Sequence, residues 1–510
     1  MPPRKKPATK LPAKKPATKL PAKKSATKSP AKNNRQFSSG IEGLDTILGG
    51  GLPGRHLYLL QGRPGTGKTT FALQFLLAGV AAGEAVLYVS LSQSKDELAQ
   101  IAASHGWTLD GIQVEELHTA AADDSGDDQT IFYASDVRLD RTREAVDKAI
   151  ARVKPQRIVY DSILEIRQLS RDDQKFHEEI LSFKRMVARQ GIATLFIDLT
   201  PDVGGDSVVE SLAHGLFHLE KFLPEYGQAR RRIDIRKMRG VSFFDGYHDM
   251  AIQTGGVRVF PRIVPELAPE AGREDLIKSG VDALDDMLGG GMEPGTTTLV
   301  VGQSGTGKST LASLYAYAAL ERGESVTLFL FEERVETFFR RSEGLGLHLR
   351  KYRDDGKLEL WDFSPGAVSQ GEFSQIAQQS ADGNHAGVVV IDSFTGYVAG
   401  LPNPQEAIMQ IQTLLKYLSR RGVLTILIVA QHGLLGHNME TAVDVSFLGD
   451  TVVFLRMYEW PAVVRRTITV VKKRHGPHDL DVRQFQIDTD GISIREFVQP
   501  PPGSPSPMPA

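Results

Sequence analysis

The sequence predicts two tandem α/β domains, each a parallel sheet with helices on both faces, between two disordered tails. The chain has 510 residues, which is enough for about two to four domains. A long segment occurs twice, short apolar runs alternate with helical stretches in both copies, and the two ends are poor in large apolar residues. We divide the chain accordingly into residues 1–36, 37–263, 264–498 and 499–510.

The duplicated segment defines the two domains. FSSGIEGLDTILGGGLPGRHLYLLQGRPGTGKTT, from Phe37, matches IKSGVDALDDMLGGGMEPGTTTLVVGQSGTGKST, from Ile277, so that Lys68 and Lys308 lie 240 residues apart. A proline-rich stretch, VPELAP, begins at Val264 and has the composition of a linker. We therefore predict that the two domains share one fold.

Apolar strands alternate with helical stretches inside each copy. The predicted strands of the first copy are Leu57–Gln61, Val86–Leu91, and the runs IVYDS and ATLFIDLT. Those of the second copy are Thr298–Val301, Val326–Phe331, and the runs VVVIDS and LTILIVAQ. This alternation predicts a parallel sheet covered on both faces, and such sheets bind ligands at the carboxyl ends of their strands.

Composition excludes several classes of protein. The chain has no cysteine, which removes disulfides, thiolate zinc sites, iron–sulfur clusters and thiol catalysis. It has no run of 18 apolar residues, and its first residues lack the apolar core of a signal peptide. We expect a soluble, cytoplasmic protein with no membrane association.

The first 36 residues form a basic tail attached to an acidic body. They hold 12 Lys and Arg and no acid, and the motif KKPATKLPA recurs every nine residues, whereas the remaining 474 residues carry a net charge of −14. Such a segment cannot bury enough surface to fold alone. It either binds nucleic acid through phosphate neutralisation, or is a solvated tail, or lies against the protein's own acidic body. The proline-rich end, 499–510, is a second disordered tail.

Each copy contains a phosphate-binding loop. GRPGTGKT and GQSGTGKS both fit G-x-x-x-x-G-K-[ST], each after a predicted strand and before a predicted helix. In this motif the backbone N–H groups surround phosphate oxygens, the lysine reaches the β- and γ-phosphates, and Thr69 or Ser309 binds Mg²⁺. We predict that ATP is bound by Gly62, Gly65, Thr66, Gly67, Lys68, Thr69 and Thr70, and by Gly302, Gly305, Thr306, Gly307, Lys308, Ser309 and Thr310.

An aspartate ends a later strand in each copy. Asp161 and Asp392 both precede a serine and lie 231 residues apart, so the first copy has slightly more loop before this point. An acid at this place can hold Mg²⁺, directly or through water. The alternative is an ordinary strand-ending aspartate that caps the next helix.

A pair of glutamates in the second copy is suited to hydrolysis. Glu332 and Glu333 follow the strand after the first helix, and we expect that strand to lie beside the phosphate-loop strand. The aligned residues of the first copy are Ser92 and Gln93, and an amide can hold water but accepts a proton poorly. We therefore expect both copies to bind ATP and the second to hydrolyse it better. The alternative is that the glutamates merely open a solvated helix.

Taken together, these motifs resemble the KaiC family of tandem RecA-type ATPases. The resemblance covers about residues 37–495 and rests on SSGIEGLDTILGGGLPG and its second copy, both phosphate loops, the YDS and IDS strand ends, and the Glu pair. YDSILEIRQLS together with GYHD is similar to the broad KaiC-like group of bacteria and archaea rather than to the clock proteins. It implies two RecA-like P-loop NTPase domains.

The resemblance also implies roles for particular residues. It implies a homo-hexamer with ATP between neighbouring subunits, ATPase activity with Glu332 and Glu333 as the catalytic-base region and, in some members, Ser/Thr autophosphorylation. The family's K-x-R-G motif reaches the neighbouring subunit's nucleotide and maps to Lys237 and Arg239, and more loosely to Lys472 and Arg474. Cations there would offset charge in the transition state. The alternative is a solvated basic strand edge.

One serine corresponds to the family's phosphorylation segment. Clock members carry an adjacent Ser-Thr pair, and the aligned residues here are Ser446 and Phe447. This argues against a two-site phosphorylation cycle and leaves Ser446 as a single acceptor. The alternative is a serine that hydrogen-bonds locally before a strand.

The sequence thus favours an ATP-hydrolysing oligomeric signalling or clock-type protein with a signalling partner and Ser/Thr autokinase capacity. Two alternatives stay open at this point. One is a RecA-type DNA-associated ATPase anchored by the basic tail. The other is a non-catalytic scaffold whose subunits are held together by bound ATP.

Overall fold

The computed structural model describes residues 36–54, 56–117, 134–170, 172–199, 208–224, 227–364, 366–431, 445–460, 463–488 and 491–496. These residues all belong to one compact unit, Gln36–Ala510. Apart from Gln36, the two predicted tails lie outside the described residues, so their predicted disorder and the nucleic-acid role of the first stay predictions.

The first half contains eleven described strands and seven described helices. The strands are β1 Gln36–Phe37, β2 Leu52–Pro53, β3 Leu57–Gly62, β4 Val86–Ser90, β5 Ile112–Glu116, β6 Arg157–Asp161, β7 Ala193–Asp198, β8 Gly215–Phe222, β9 Arg230–Met238, β10 Tyr247–Gln253 and β11 Gly256–Phe260. The helices are α1 Leu44–Ile47, α2 Lys68–Ala81, α3 Lys95–Ser104, α4 Ala134–Val153, α5 Ile163–Leu169, α6 Asp173–Gln190 and α7 Val208–Leu212.

The second half repeats the pattern over its described residues. Its strands are β12 Thr297–Gln303, β13 Ser325–Leu330, β14 Leu358–Asp362, β15 Ala386–Asp392, β16 Leu424–Gln431, β17 Thr451–Trp460, β18 Val463–Lys473, β19 Arg483–Asp488 and β20 Gly491–Glu496. Its helices are α8 Asp282–Met287, α9 Lys308–Glu321, α10 Val335–Glu343, α11 Arg350–Asp354, α12 Gln370–Gly383, α13 Phe394–Ala399 and α14 Pro404–Arg420, and short 3₁₀ turns span Pro265–Leu267 and Ser446–Leu448.

Two large sheets organise the described part of the chain. Their strand orders are β11-β10-β9-β8-β3-β7-β6-β4-β5 and β14-β13-β15-β16-β12-β17-β18-β19-β20. In each sheet six strands run parallel, and the last three are added as antiparallel hairpins. This architecture confirms the predicted pair of RecA-like domains.

One expectation about strand order is wrong. The strand that precedes the Glu pair, β13, does not lie beside the phosphate-loop strand β12, because β15 and β16 separate them. The neighbours of β12 are β16 and β17. Alternating apolar runs identify strands, but crossover connections decide which strands pair, and the local sequence does not record that choice.

The strands are continuous apolar runs in the sequence because both of their faces are buried. All six residues of β3 and all six of β7 are buried, since helices cover both faces of the sheet. Helix α6 shows the complementary pattern, with an apolar stripe of Phe176, Ile180 and Val187. Asp172 caps its start by accepting from the N–H of Lys175 at 2.8 Å, and Gly191 ends it at a φ of 73°.

Among the described residues, no helix is long and apolar enough to cross a membrane.

A buried ion pair ties the first sheet to helix α2. The Arg157 guanidinium donates to Glu84 at 2.6 Å and to the carbonyls of Ser38 and Phe75 at 2.7 and 2.8 Å. Both charged side chains are almost fully buried. Glu84→Ala would leave the guanidinium without its counter-charge, so we expect a loss of about 3–5 kcal/mol in the free energy of unfolding.

Urea unfolding of the full chain, followed through the first domain's transition, checks this value. The exposed Glu144, which pairs with Lys148 across one helical turn, provides a matched control. Glu144→Ala should change stability by less than about 1 kcal/mol. Equal effects of the two substitutions would contradict the assignment of a stabilising buried pair.

Candidate nucleotide sites

The second phosphate loop connects β12 to α9 in a conformation that requires glycine. Gly305 and Gly307 have φ angles of 80° and 101°, in the left-handed region. A Cβ added at Gly302 would lie 2.3 Å from the Leu455 carbonyl oxygen. The loop therefore places backbone N–H groups at the start of α9, and the start of a helix stabilises a bound anion.

Lys308 lies buried at the centre of this loop. Its Nζ donates to the Gln303 carbonyl at 2.7 Å. Burial lowers the pKa of Lys308, and the nearby carboxylates of Asp392 and Glu332 oppose that shift without cancelling it. An ammonium held in this way would be stabilised by a phosphate chain, so the loop fits ATP.

Asp392 and Ser309 bring two oxygen ligands together at the end of β15. Ser309 hydrogen-bonds to Asp392, which is buried. Burial raises the pKa of Asp392 to about 6, Ser309 and Arg341 oppose the rise, and Glu333 and Glu332 add to it. A hydroxyl and a carboxylate at this place fit Mg²⁺ bound jointly with phosphate oxygens. No group of three or more His, Asp or Glu within the described ranges could hold a metal alone, so such a cation would depend on the nucleotide.

The next residue, and not the aspartate, caps the following helix in both halves. The Ser393 hydroxyl accepts from the N–H of Gly396 at 3.0 Å, and the Ser162 hydroxyl accepts from the N–H of Leu164 at 3.3 Å. This contradicts the alternative that Asp161 and Asp392 serve as helix caps.

Glu332 and Glu333 face the same site. Glu332 accepts a hydrogen bond from Ser393, the serine directly after Asp392. Glu333 receives two bonds from the Arg341 guanidinium, at 3.2 and 2.8 Å. The alternative of a merely solvated helix start is therefore wrong, because both carboxylates are held by side chains of the site.

One open cleft of about 700 Å³ joins these groups. The phosphate loop, the two glutamates and Asp392 line it, together with Arg340, Arg341 and Arg466. The structure thus brings the Glu pair to the phosphate loop although two strands separate β13 from β12. All strands concerned end at the same carboxyl edge of the sheet.

The first phosphate loop has the same geometry. Gly65 and Gly67 have positive φ angles, and Lys68 Nζ donates to the Gly62 carbonyl at 2.6 Å. Burial lowers the pKa of Lys68, and the carboxylates of Asp161 and Asp198 oppose the shift. Thr66 lies buried within the loop, and Thr69 and Thr70 begin α2 beside Lys68.

Asp161 differs from Asp392 in its partner. It accepts from the buried hydroxyl of Tyr88 at 2.6 Å. Burial is the largest cause that raises the pKa of Asp161, and the Tyr88 hydrogen bond and Lys68 oppose it. An acid is therefore present at the end of β6, where Mg²⁺ bound through phosphate would require it.

At the residues aligned with the Glu pair, the first half has a turn instead. Gln93 donates its N–H to the Ser90 hydroxyl at 3.1 Å and accepts from that hydroxyl through its carbonyl at 2.6 Å. Ser92 is exposed, and Ser94 caps α3 by accepting from the N–H of Glu97. No carboxylate stands at these positions.

In the second half, the cations of the K-x-R segment lie near the amino end of the phosphate-loop strand. Arg474 pairs with Asp450 at 2.9 Å, and Asp450 accepts from the N–H of Thr297, the first residue of β12. The loop begins at Gly302, five residues and about 16 Å further along the strand. Lys472, on β18, lies opposite Val452, the second residue of β17. Since β17 runs parallel to β12, Lys472 also lies near the amino end of the phosphate-loop strand.

The first half has the same arrangement. Arg239 donates its N–H to the His214 carbonyl, and His214 donates to the carbonyl of Leu57, the first residue of β3. Gly62 and the phosphate loop lie at the other end of that strand. Lys237 Nζ binds a carbonyl of α7 at 2.7 Å. Both K-x-R segments therefore lie at the end of the sheet opposite to the phosphate loop of the same half.

Ser446 lies at the same edge. It begins the 3₁₀ turn before β17 and is exposed, and its carbonyl accepts from Lys472 Nζ at 3.1 Å. Phe447, where the family's second acceptor would be, is half exposed. The serine and the lysine thus share one surface.

Sequence reasoning missed four groups of these sites. Arg341 holds Glu333, Ser393 holds Glu332, and Tyr88 holds Asp161. Arg466 donates to the Gly305 carbonyl in the second loop at 3.1 Å. The serine could have been noticed, because Asp-Ser follows a strand in both copies, but the other three have no local signal.

Comparison with known proteins agrees with this geometry. A family model described as the KaiC ATPase matches residues 37–263 and 277–498. The two matches together include both phosphate loops, both strand-end aspartates and both K-x-R segments.

Relatives of the same name span nearly the whole chain. The chain is 27% identical to the circadian clock oscillator protein KaiC of Thermostichus vulcanus over 463 residues, which cover 89% of this chain and 88% of that protein. It is 27% identical to the protein of that name from Prochlorococcus marinus strain MIT 9313 over 472 residues, 91% of this chain and 93% of the relative. For Parathermosynechococcus lividus the values are 26% over 464 residues, 90% and 85%. The predicted resemblance to the KaiC family is confirmed, and its narrower part, a KaiC-like group apart from the clock proteins, stays a prediction.

Proposed function

The chain belongs to the KaiC family of ATPases, and from this premise we propose that it is an oligomeric ATP-hydrolysing enzyme whose second half carries most of the turnover. The observation behind the proposal is the single cleft that holds Lys308, Asp392, Glu332 and Glu333. The relatives are circadian clock oscillator proteins, which supports a timing or signalling role with a protein partner.

Each residue of the second site has a distinct role in this proposal. Lys308 would bind the β- and γ-phosphates, and Ser309 and Asp392 would hold Mg²⁺, which neutralises charge on phosphate oxygens. Glu332 or Glu333 would orient the attacking water and accept its proton. Arg341 holds Glu333 in place through its two hydrogen bonds.

In the first half, ATP would be retained more than hydrolysed. Lys68, Thr69 and Asp161 provide the groups that hold Mg²⁺ and phosphate. Ser92 and Gln93 replace the glutamates, so water activation at these positions is lost. Slow turnover there would keep the subunits together through bound nucleotide.

The K-x-R segments support assembly into a closed ring, with six subunits as the resemblance implies. Because Arg239 and Arg474 lie about 16 Å from their own phosphate loops along the strand, each could reach only a nucleotide held by a neighbouring subunit. Such head-to-tail contacts close into rings when the rotation permits.

Ser446 is the proposed acceptor if the enzyme phosphorylates itself. It lies on the same edge as Lys472, so the phosphate would also come from a neighbour's ATP. Protein-bound label from γ-labelled ATP that disappears in Ser446→Ala would establish this activity, and label unaffected by Ser446→Ala would contradict the assignment of this residue.

The proposal is tested by following free phosphate released from γ-labelled ATP by the purified full chain. We expect steady release with Mg²⁺ and without nucleic acid, because every hydrolytic group lies in the protein. Release that depends on added DNA, and that is lost when residues 1–36 are deleted, would instead support a DNA-associated ATPase.

A further inference from the structure

A serine follows the strand-end aspartate in both halves, and in both it donates to a carboxylate. In the second half the acceptor is Glu332, at the end of β13. In the first half Ser162 Oγ donates to Glu165 Oε2 at 2.7 Å. Glu165 belongs to the first turn of α5, an entirely different segment. The carboxylate is therefore present in both halves, but it comes from different parts of the chain.

The internal repeat shows that each half has a glutamate at one of two equivalent positions and a residue without an acid at the other. The offset of 240 residues aligns Ser92 with Glu332, and the offset of 231 residues aligns Glu165 with Gly396. The second half thus has glutamate at the strand end and glycine on the helix. The first half has serine at the strand end and glutamate on the helix.

The space between Gly396 and Glu332 is tight in the second half. A Cβ added at Gly396 would lie 3.1 Å from both the Cγ and an Oε of Glu332, and 3.2 Å from the Cβ of Phe331. A side chain on the helix at this point therefore enters the space that Glu332 uses. In the first half the residue aligned with Glu332 is the shorter, exposed Ser92, so no glutamate side chain extends from that position.

Glu165 is placed to act on the first nucleotide site. It is half buried, and it binds Ser162, the residue directly after Asp161. In a capping box the glutamate would bind the backbone N–H of the capping serine, whereas here it accepts from the hydroxyl. Its carboxylate is thus held beside the aspartate in the way that Glu332 is held beside Asp392.

We propose that Glu165 is the catalytic carboxylate of the first nucleotide site and replaces there the missing Glu332. This rests on the proposed function, because it requires that the first site binds ATP. The first site would hydrolyse ATP slowly, because the second acid, Glu333, and its partner Arg341 are replaced by Gln93 and Ile101.

The step is an ordinary hydrolysis. A water oxygen forms a bond to the γ-phosphorus while the bond between that phosphorus and the β–γ bridging oxygen breaks. The bond electrons leave with ADP, the water proton passes to the Glu165 carboxylate, and Glu165 later releases it to solvent. The products are ADP, inorganic phosphate and one proton.

The test isolates the first site by placing Lys308→Ala in the full chain. Adding Glu165→Gln should lower the remaining phosphate release about tenfold or more. The affinity for ATP should stay within about twofold, and the nucleotide recovered on the protein should shift from ADP towards ATP. Glutamine at this position can still accept from the Ser162 hydroxyl through its amide oxygen, so a purely structural glutamate would show none of these changes. Glu178→Gln, on the exposed face of α6, is the matched control.

A reciprocal exchange provides the second variant. Ser92→Glu combined with Glu165→Gly reproduces the arrangement of the second half, and it should restore turnover that Glu165→Gly alone removes. If Lys308→Ala binds no ATP, the proposed function of the first half fails. If ATP binds and turnover is absent or unaffected by Glu165→Gln, the proposal for Glu165 alone is overturned.

Discussion

Replacing Glu332 and Glu333 together by glutamine is expected to lower ATP turnover by the second half about 10²- to 10⁴-fold. Both carboxylates line the cleft of Lys308 and Asp392. Glutamine keeps their size and can still hold water, but it accepts a proton poorly. Phosphate release measured in the Lys68→Ala background, which removes the first site, reports this loss.

The affinity for ATP separates catalysis from binding in this experiment. The two glutamates carry negative charge near the phosphates, so their removal should leave ATP binding unchanged or slightly tighter. Glu336→Gln is the control, because this glutamate lies in α10, the helix that follows the pair, and is exposed and paired with Arg350. Turnover that survives the double substitution would show that another group activates the water.

The second large effect is expected from Arg474. Replacing Arg474 by alanine should reduce turnover about 10³-fold or more, the scale typical of an arginine supplied in trans. Arg474 lies at the amino end of β12 beside Asp450, at the opposite end from the phosphate loop. Its loss should therefore affect a nucleotide held by a neighbouring subunit.

Mixing two inactive variants tests that arrangement. In rings assembled from equal amounts of Arg474→Ala and Lys308→Ala subunits, about a quarter of the interfaces would combine an intact loop with an intact arginine. Activity should return to about a quarter of the wild-type value. Two Arg474→Ala preparations mixed in the same way are the control. No recovery in rings shown to contain both variants would mean that Arg474 acts within its own subunit or only structurally.

Local sequence was sufficient for the parts of the fold and site that depend on short segments. Glycines with positive φ in the loops, the lysine that opens each helix, and the aspartate that ends a buried strand all follow from motifs a few residues long. These features could be predicted without the strand order, because each short motif specifies both its local backbone structure and its functional side chains.

What the sequence did not predict depends on packing between distant segments. The separation of β13 from β12 by two strands is decided by crossovers. The partners Arg341 and Tyr88 reach Glu333 and Asp161 only after the sheet and its helices have assembled. The relation between Glu165 and Gly396 likewise depends on the fold, which places both beside equivalent serines.

The most direct measurement compares wild type, Lys68→Ala and Lys308→Ala with γ-labelled ATP, following free phosphate and protein-bound label together. The central claim is that the second half is the main hydrolase. It predicts that Lys308→Ala removes most of the phosphate release, whereas Lys68→Ala leaves most of the release per assembled ring. Turnover lost mainly in Lys68→Ala rings that remain assembled would contradict it and make the first half the main hydrolase.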